Sequence, residues 1–250
     1  MECTAKPVSV SEISHWRDLY RQEMNCQIVH DSLHARPGWT QSYLLSVGAT
    51  PAGYGATMIG GPWNGTRTLF EFYVLPEHRG HLFDLFNALR AAGEATGMEI
   101  QSNDRIITVM LHVFASDIKT DAIVFEDKLT TSLIIDGAQL IQRGEPTLNW
   151  FNRDCVNQDW ALELGGTAAA TGGILYHNNR PYGDVYMEVA ENFRRQGLGS
   201  YLVQELKRIC YEGGSVPAAR CNPNNIASRK TLQKAGFIPY ANLLTGKLTS

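Results

Sequence analysis

The feature that most narrows the fold is a plan of elements that runs along the chain twice. The stretch QSYLLSVGATPAGYGATMIGG reads as strand, Gly/Pro turn, strand, and TRTLFEFYVLP adds a strand closed by Pro76. LFDLFNALRAAGEATG then places Leu82, Leu85, Phe86 and Leu89 on one helical face before a stop at Gly97. From about residue 158 the order returns as DWALEL, a GGT turn, AAATGGILYH, an NNRPYG turn, DVYMEVA, a helix from Gly199 to Tyr211 and the strand GSVPAARC. The best register sets Val74-Leu75-Pro76-Glu77-His78-Arg79 against Val189-Ala190-Glu191-Asn192-Phe193-Arg194, an offset of 115 residues. Only Val and Arg are identical in it, so the order of elements carries the repeat. Turn residues at Arg143-Gly144-Glu145-Pro146 predict a boundary between modules 1–145 and 146–250. Outside the repeat, Ile13, Trp16, Leu19 and Tyr20 form one stripe of a helix with Ser11 and Ser14 as local caps. HDSLHARPGW reads as a loop, and RIITVMLHVF, rich in β-branched residues, as a strand.

Composition limits the partners. A chain of 250 residues, 44% hydrophobic and 19% charged, has enough apolar material for a sizeable core and is not disordered. With 22 Lys+Arg against 25 Asp+Glu, the net charge of −3 supplies no basic field, so neither nucleic acid nor an anionic membrane is expected as a partner. Cysteines 3, 26, 155, 210 and 221 are odd in number and lack CxxC spacing, which argues against a disulfide framework or a zinc ribbon. No secretory leader and no apolar run of membrane-spanning length is recognisable, so the expected location is the cytoplasm, and Asn64-Gly65-Thr66 reads as turn chemistry rather than a glycosylation site. Cys26, His30 and His34 have the spacing of one helix face, yet no fourth ligand follows, and no metal is expected. Trp150, Phe151 and Trp160 read as packing rather than the floor of a pocket, and Cys221 as a buried thiol rather than a nucleophile.

Chemistry concentrates in Arg194-Arg195-Gln196-Gly197-Leu198-Gly199-Ser200, between a strand and a helix with the apolar face Leu202, Leu206, Ile209. A helix start presents backbone N–H groups without intrahelical partners and a positive dipole end, which together bind an anion such as a pyrophosphate. Glycines at 197 and 199 let it approach, and Arg194 and Arg195 add charge beside it.

Arg194, Gly197 and Gly199 resemble the [QR]-x-x-G-x-[GA] signature of the GNAT superfamily of acyl-CoA-dependent N-acyltransferases. Asn225, Ser228, Lys234, Gly236 and Phe237 resemble its downstream N-x-x-[AS]…K-x-G-F block. The resemblance is close over about 158–240 and implies tandem α/β GNAT-like modules, each a mixed, mainly antiparallel sheet flanked by helices. It further implies acetyl-CoA or another acyl-CoA as co-substrate, with pyrophosphate on residues 194–200. Pantetheine would lie beside Val189, near Asn225 and Ser228, in a gap between splayed strands. The implied reaction is direct attack by a small-molecule or peptide amine on the thioester. The alternative is a non-catalytic acyl-CoA-binding or scaffolding protein, because Leu232 stands where many members carry a tyrosine acid. Alternation along DVYMEVA puts Asp184, Tyr186 and Glu188 on one face, making Glu188 the first and Tyr186 the second candidate base, unless the carboxylate serves an arginine such as Arg220. In the first half Leu82 and Asp84 replace the two glycines, so that half is expected to bind no coenzyme A.

Overall fold

The structure, a computed structural model, describes residues 1–148 and 156–249. Its elements are β1 (Cys3–Val8), α1 (Ser14–Met24), α2 (His30–Ala35), β2 (Thr40–Val47), β3 (Thr50–Met58), β4 (Thr68–Val74), α3 (Leu82–Gly93), β5 (Gly97–Gln101) and α4 (Arg105–Phe114). They continue with β6 (Ala115–Asp127), β7 (Ala138–Leu148), β8 (Val156–Leu164), β9 (Thr167–Leu175), β10 (Tyr182–Val189), α5 (Leu198–Glu212), β11 (Val216–Cys221), α6 (Ile226–Lys234) and β12 (Phe237–Leu248). No helix among the described residues is long and apolar enough to cross a membrane.

Two compact units result, and their limits differ from the expected boundary. The first comprises Met1–Asp121 and Asn242–Ser250, the second Ala122–Ala241. Gly144, at φ +65°, belongs to an irregularity within β7, where the pairing with β8 shifts register between Arg143 and Thr147. The turn chemistry there marks a bulge inside a hairpin, not a linker.

In the first unit the strand order is β1-β2-β3-β4-β5-β12, antiparallel except for β4 beside β5. Its core gathers Tyr54, Phe72, Leu85, Phe86 and Leu89. Helix α4 occupies the segment expected to be a strand. Asp104 caps it, its Oδ1 accepting the N–H groups of Ile106 (3.1 Å) and Ile107 (3.2 Å), while Ile106, Ile107, Met110 and Leu111 are buried and Val109 and Val113 are exposed. A good cap and an amphipathic stripe outweigh the weak strand preference of Ile and Val. Helix α3 ends at Gly93, before the expected stop, with Glu94 left-handed as its C-cap, and Gly97 opens β5. Before α1 the capping partners are Ser9 and Glu12, the Ser9 N–H donating to the Glu12 carboxylate at 2.8 Å. Ser14 donates instead to the Ser11 carbonyl at 2.9 Å.

The expected loop after Val29 contains α2, whose two histidines turn onto a carboxylate. Fully buried Glu71 of β4 lies 2.9 Å from His30 Nδ1, 2.8 Å from His34 Nε2 and 3.2 Å from the Arg17 guanidinium. Burial alone would raise the Glu71 pKa, but Arg17 and the histidines hold it well below the usual range. Cys26 faces elsewhere, its thiol donating to Asn103 Oδ1 at 3.5 Å.

In the second unit the order is β6-β11-β10-β9-β8-β7, again antiparallel except at one parallel pair, β10 beside β11. Its core contains Phe125, Leu162, Ile174, Val185, Leu202, Val203, Leu206, Leu232 and Phe237. Gly236 has φ +95°, and a Cβ there would stand 2.0 Å from the Leu129 carbonyl oxygen, so the glycine of the K-x-G-F block is required by backbone packing.

Candidate functional site

The site grows from the way β10 leaves β11. The two strands pair in parallel only at Tyr182, Gly183 and Asp184 against Val216, Pro217 and Ala218. On the other side β10 stays paired with β9 through Val189. Ala190 N–H donates to Ala169 O at 3.0 Å, so strand alternation directs the N–H and C=O groups of Met187 and Val189 away from β9, toward the gap. This is the splay the sequence resemblance implied. The parallel pair of the first unit opens likewise, β4 matching β5 only at Thr68 and Leu69.

Beyond β10 the chain turns through Glu191–Phe193 and enters α5 with two left-handed residues, Arg195 at φ +65° and Gly197 at φ +85°. Gly197 is the N-cap, and its carbonyl accepts the Tyr201 N–H at 3.0 Å. The first N–H groups of α5 therefore face outward without helical acceptors. Gly199 is needed for closeness, since a Cβ there would stand 3.1 Å from Val189 and 3.2 Å from Thr231 side-chain carbons.

A cleft of about 900 Å³ opens over this turn, lined by β10, the loop and α6. It brings together Glu188, Val189, Arg194, Arg195, Gly197, Leu198, Gly199, Ser200, Asn225 and Ser228, all singled out from the sequence. Gln196 is not on its wall and donates to the Asn192 carbonyl at 3.3 Å. Ser200 contributes backbone only, because its buried hydroxyl donates to Thr231 O at 3.1 Å. The side-chain oxygen of Asn225 accepts the Ser228 N–H at 3.0 Å and caps α6. Arg194 Nε donates to the Val189 carbonyl at 3.2 Å. The same bond recurs in the first unit, from Arg79 Nε to Val74 O at 3.1 Å, so the two arginines aligned in sequence do the same backbone work.

Lys230, Thr231 and Lys234 also line the cleft and were not assigned from the sequence. Ala227, Thr231 and Lys234 fall four and three residues apart, the period of one helix face, which was the available signal. The ammonium of Lys234 lies 3.5 Å from the place a Cβ on Gly197 would take. Four cations, Arg194, Arg195, Lys230 and Lys234, thus line the same cleft as the start of α5. Such a surface fits a pyrophosphate or phosphate.

The candidate bases separate. Met187 and Val189 pack against the core of the second unit, which leaves Asp184, Tyr186 and Glu188 on the opposite side of β10. Arg220 pairs with Asp184 (3.3 Å), not with Glu188, and His177 Nε2 lies 2.8 Å from the same carboxylate. Glu188 is exposed and lines the cleft. Tyr186 donates its hydroxyl to Asp159 of β8, reaching across Gly173 of the intervening strand. Burial and that hydrogen bond push its pKa up to about 12, which keeps the phenol protonated. Leu232 is buried in the core and offers no acid. Trp160 is packed beside that core, and burial pushes the Cys221 thiol up; Trp150, Phe151 and Cys155 lie outside the described residues.

Residues 130–237 match the model of the acetyltransferase (GNAT) family. No curated protein is similar to the chain in sequence. Among solved structures, an acetyltransferase from the GNAT family of Colwellia psychrerythraea is similar with a TM-score of 0.70 at 15% identity, covering 98% of this chain and 100% of that one. A tandem GNAT protein from the clavulanic acid biosynthesis pathway gives 0.68 at 14%, covering 100% and 99%. A GCN5-related N-acetyltransferase from Sphaerobacter thermophilus gives 0.62 at 13%, covering 99% and 96%. At these identities the structural likeness speaks for the fold, and the family match for the segment that carries the cleft. Residues 130–237 are a domain of the GNAT family, set in a chain whose two sheet-and-helix units have the fold of tandem GNAT proteins.

Proposed function

We propose that the chain is an acyl-CoA-dependent N-acyltransferase, moving an acetyl or other short acyl group to an amine at the cleft of the second unit. The observation that carries this reading is the conjunction of a splayed β10 and β11 with a left-handed Gly197 helix start in a cleft lined by four cations. In it, the N–H groups at the start of α5 together with Arg194, Arg195, Lys230 and Lys234 hold the phosphates. The N–H groups of Met187 and Val189 meet the amide-bearing pantetheine arm.

Direct attack forms the new bond between the amine nitrogen and the acyl carbon, and breaks the bond from that carbon to sulfur. Glu188 accepts the proton the amine gives up, and the thiolate takes one from solvent. A main-chain N–H of β10 stabilises the oxyanion in between. Tyr186, protonated and tied to Asp159, holds the neighbouring position on the same face rather than acting as base. The acceptor is a small-molecule or peptide amine, and the proposed location is the cytoplasm.

The buried Leu232 favours a second reading, an acyl-CoA-binding protein without turnover. The decisive experiment is a screen of amine acceptors with acetyl-CoA, following free thiol. Thiol release that requires an acceptor, and a product heavier than it by one acetyl group, support the enzyme. Saturable acetyl-CoA binding with no release across the acceptor classes supports the second reading instead.

A further inference from the structure

The first unit contains a cluster that neither the cleft nor the proposed reaction uses. Cys3 of β1, His81 immediately before α3 and Asp84 in the first turn of α3 bring a thiol sulfur, an imidazole nitrogen and a carboxylate oxygen within 4.8 Å of one another. Cys3 is 78 positions from His81 in sequence, and the packing of α3 on β1 makes the meeting. Cys3 and His81 are half-buried, and Asp84 is exposed.

Its place in the fold matters. The 115-residue register puts Arg79 at Arg194, so His81 stands at the position of Gln196, and Leu82 and Asp84 at those of Gly197 and Gly199. Where the second unit presents bare backbone N–H groups to an anion, the first presents three side chains that donate lone pairs. Asp84 in the first turn satisfies the helix dipole internally, which removes the attraction for an outside anion.

We propose that this triad binds a thiophilic divalent cation of the Zn²⁺ class, with three protein ligands and a water in the fourth position. Thiolate, carboxylate and neutral imidazole together carry two negative charges, so the occupied site is neutral, and they match the donor preferences of that ion. Tetrahedral bonds of about 2.0–2.3 Å set ligand atoms roughly 3.5 Å apart. A contraction of about 1 Å from the present spread is within reach of side-chain rotation, since Asp84 is at the surface. Binding releases the Cys3 proton.

The other histidine clusters differ in a telling way. Glu71 with His30 and His34 has the Arg17 guanidinium against its carboxylate, and Asp184 with His177 has Arg220. In each, a fixed cation already occupies the place of a metal. Asp84 forms no such ion pair with an arginine or lysine among the described residues.

Co²⁺ titration of the full, metal-stripped chain tests the proposal, read as the thiolate-to-cobalt charge-transfer band and the visible bands of four-coordinate cobalt. The expected result is one equivalent per chain, reversed by Zn²⁺. Cys3→Ser should abolish the charge-transfer band. Asp84→Asn, a surface change that leaves the fold intact, should weaken affinity by at least the ~10–100-fold that even outer partners of a ligand are worth. At the same concentration, Zn²⁺ should raise the Tm of the wild-type chain by more than that of Asp84→Asn. Absence of the band, or a band that persists unchanged in Cys3→Ser or in Asp84→Asn, overturns the assignment.

Discussion

At the residue scale, the left-handed Gly197 concentrates the case for the cofactor site. Gly197→Glu adds a Cβ at φ +85° and a carboxylate beside Lys234, in the space assigned to phosphate. Acetyl-CoA binding should be lost in calorimetry while circular dichroism shows a folded chain, and undiminished affinity would remove the site. Glu188→Gln keeps the shape of the side chain but cannot take a proton. Its kcat should fall ~10²–10⁴-fold with acetyl-CoA affinity nearly unchanged, the size typical for loss of a general base. Tyr186→Phe should retain most of the turnover, because burial and the hydrogen bond to Asp159 hold the phenol protonated. If the tyrosine variant loses the activity and Glu188→Gln does not, the roles are reversed. These positions were legible because the signature glycines and the strand alternation are local properties. The partner of Tyr186 was not, since Asp159 is 27 residues away and is reached only across Gly173.

Helix α4 carries the argument at the scale of elements. Its N-cap Asp104 is fully buried, and desolvation raises its pKa from the ordinary 3.8 to about 7. A carboxyl with a raised folded pKa binds its proton more tightly in the native state, so it favours folding least when ionised. Its contribution therefore declines as pH rises from about 4 to about 7. Asp104→Asn retains an oxygen for the Ile106 and Ile107 N–H groups and removes the ionisation. Urea denaturation should show a flatter stability profile across that window and a more stable variant at pH 8, since each tenfold gain in native proton affinity is worth ~1.4 kcal/mol. Equal slopes for the two proteins would mean that Asp104 titrates normally. Residue preference alone points to a strand here, because Ile and Val are weighed one by one. The cap that starts the helix and the spacing of its buried residues carry the opposite and stronger signal.

Across the whole molecule, the two units have the same pattern of strand pairing and different uses for the same arginine. Arg79 and Arg194 both hold the carbonyl of the valine five residues back. Arg79 also has both carboxylate oxygens of Glu23 at 2.7 and 2.6 Å, whereas Arg194 lines the cleft. Arg194→Ala should weaken acetyl-CoA roughly ten- to a hundred-fold, as expected for charge-assisted contacts. Arg79→Ala should leave that affinity unchanged and cost stability instead. Arg79 depresses the Glu23 pKa, so the lost stabilisation belongs to pH above the ordinary carboxyl range and vanishes as acid protonates Glu23. Calorimetry should count one acetyl-CoA per chain. Two equivalent binding events would show that Leu82 and Asp84 leave the first unit competent.

What the sequence determined by itself was whatever depends on neighbours in the chain. The order of strands and helix from β8 to β11, the Gly197 turn, the alternation of DVYMEVA and the second block on α6 all follow from short-range sterics and periodicity. Tertiary structure alone decided how distant segments share a unit. Asn242–Ser250 returns to the first unit, where β12 pairs with β5, and no local signal marks that return, because strand pairing is a choice among partners. The meeting of Cys3 with His81 and Asp84, and of Glu71 with Arg17, His30 and His34, has the same origin. Side chains far apart in sequence acquire a common environment only when the sheets and helices that carry them have packed.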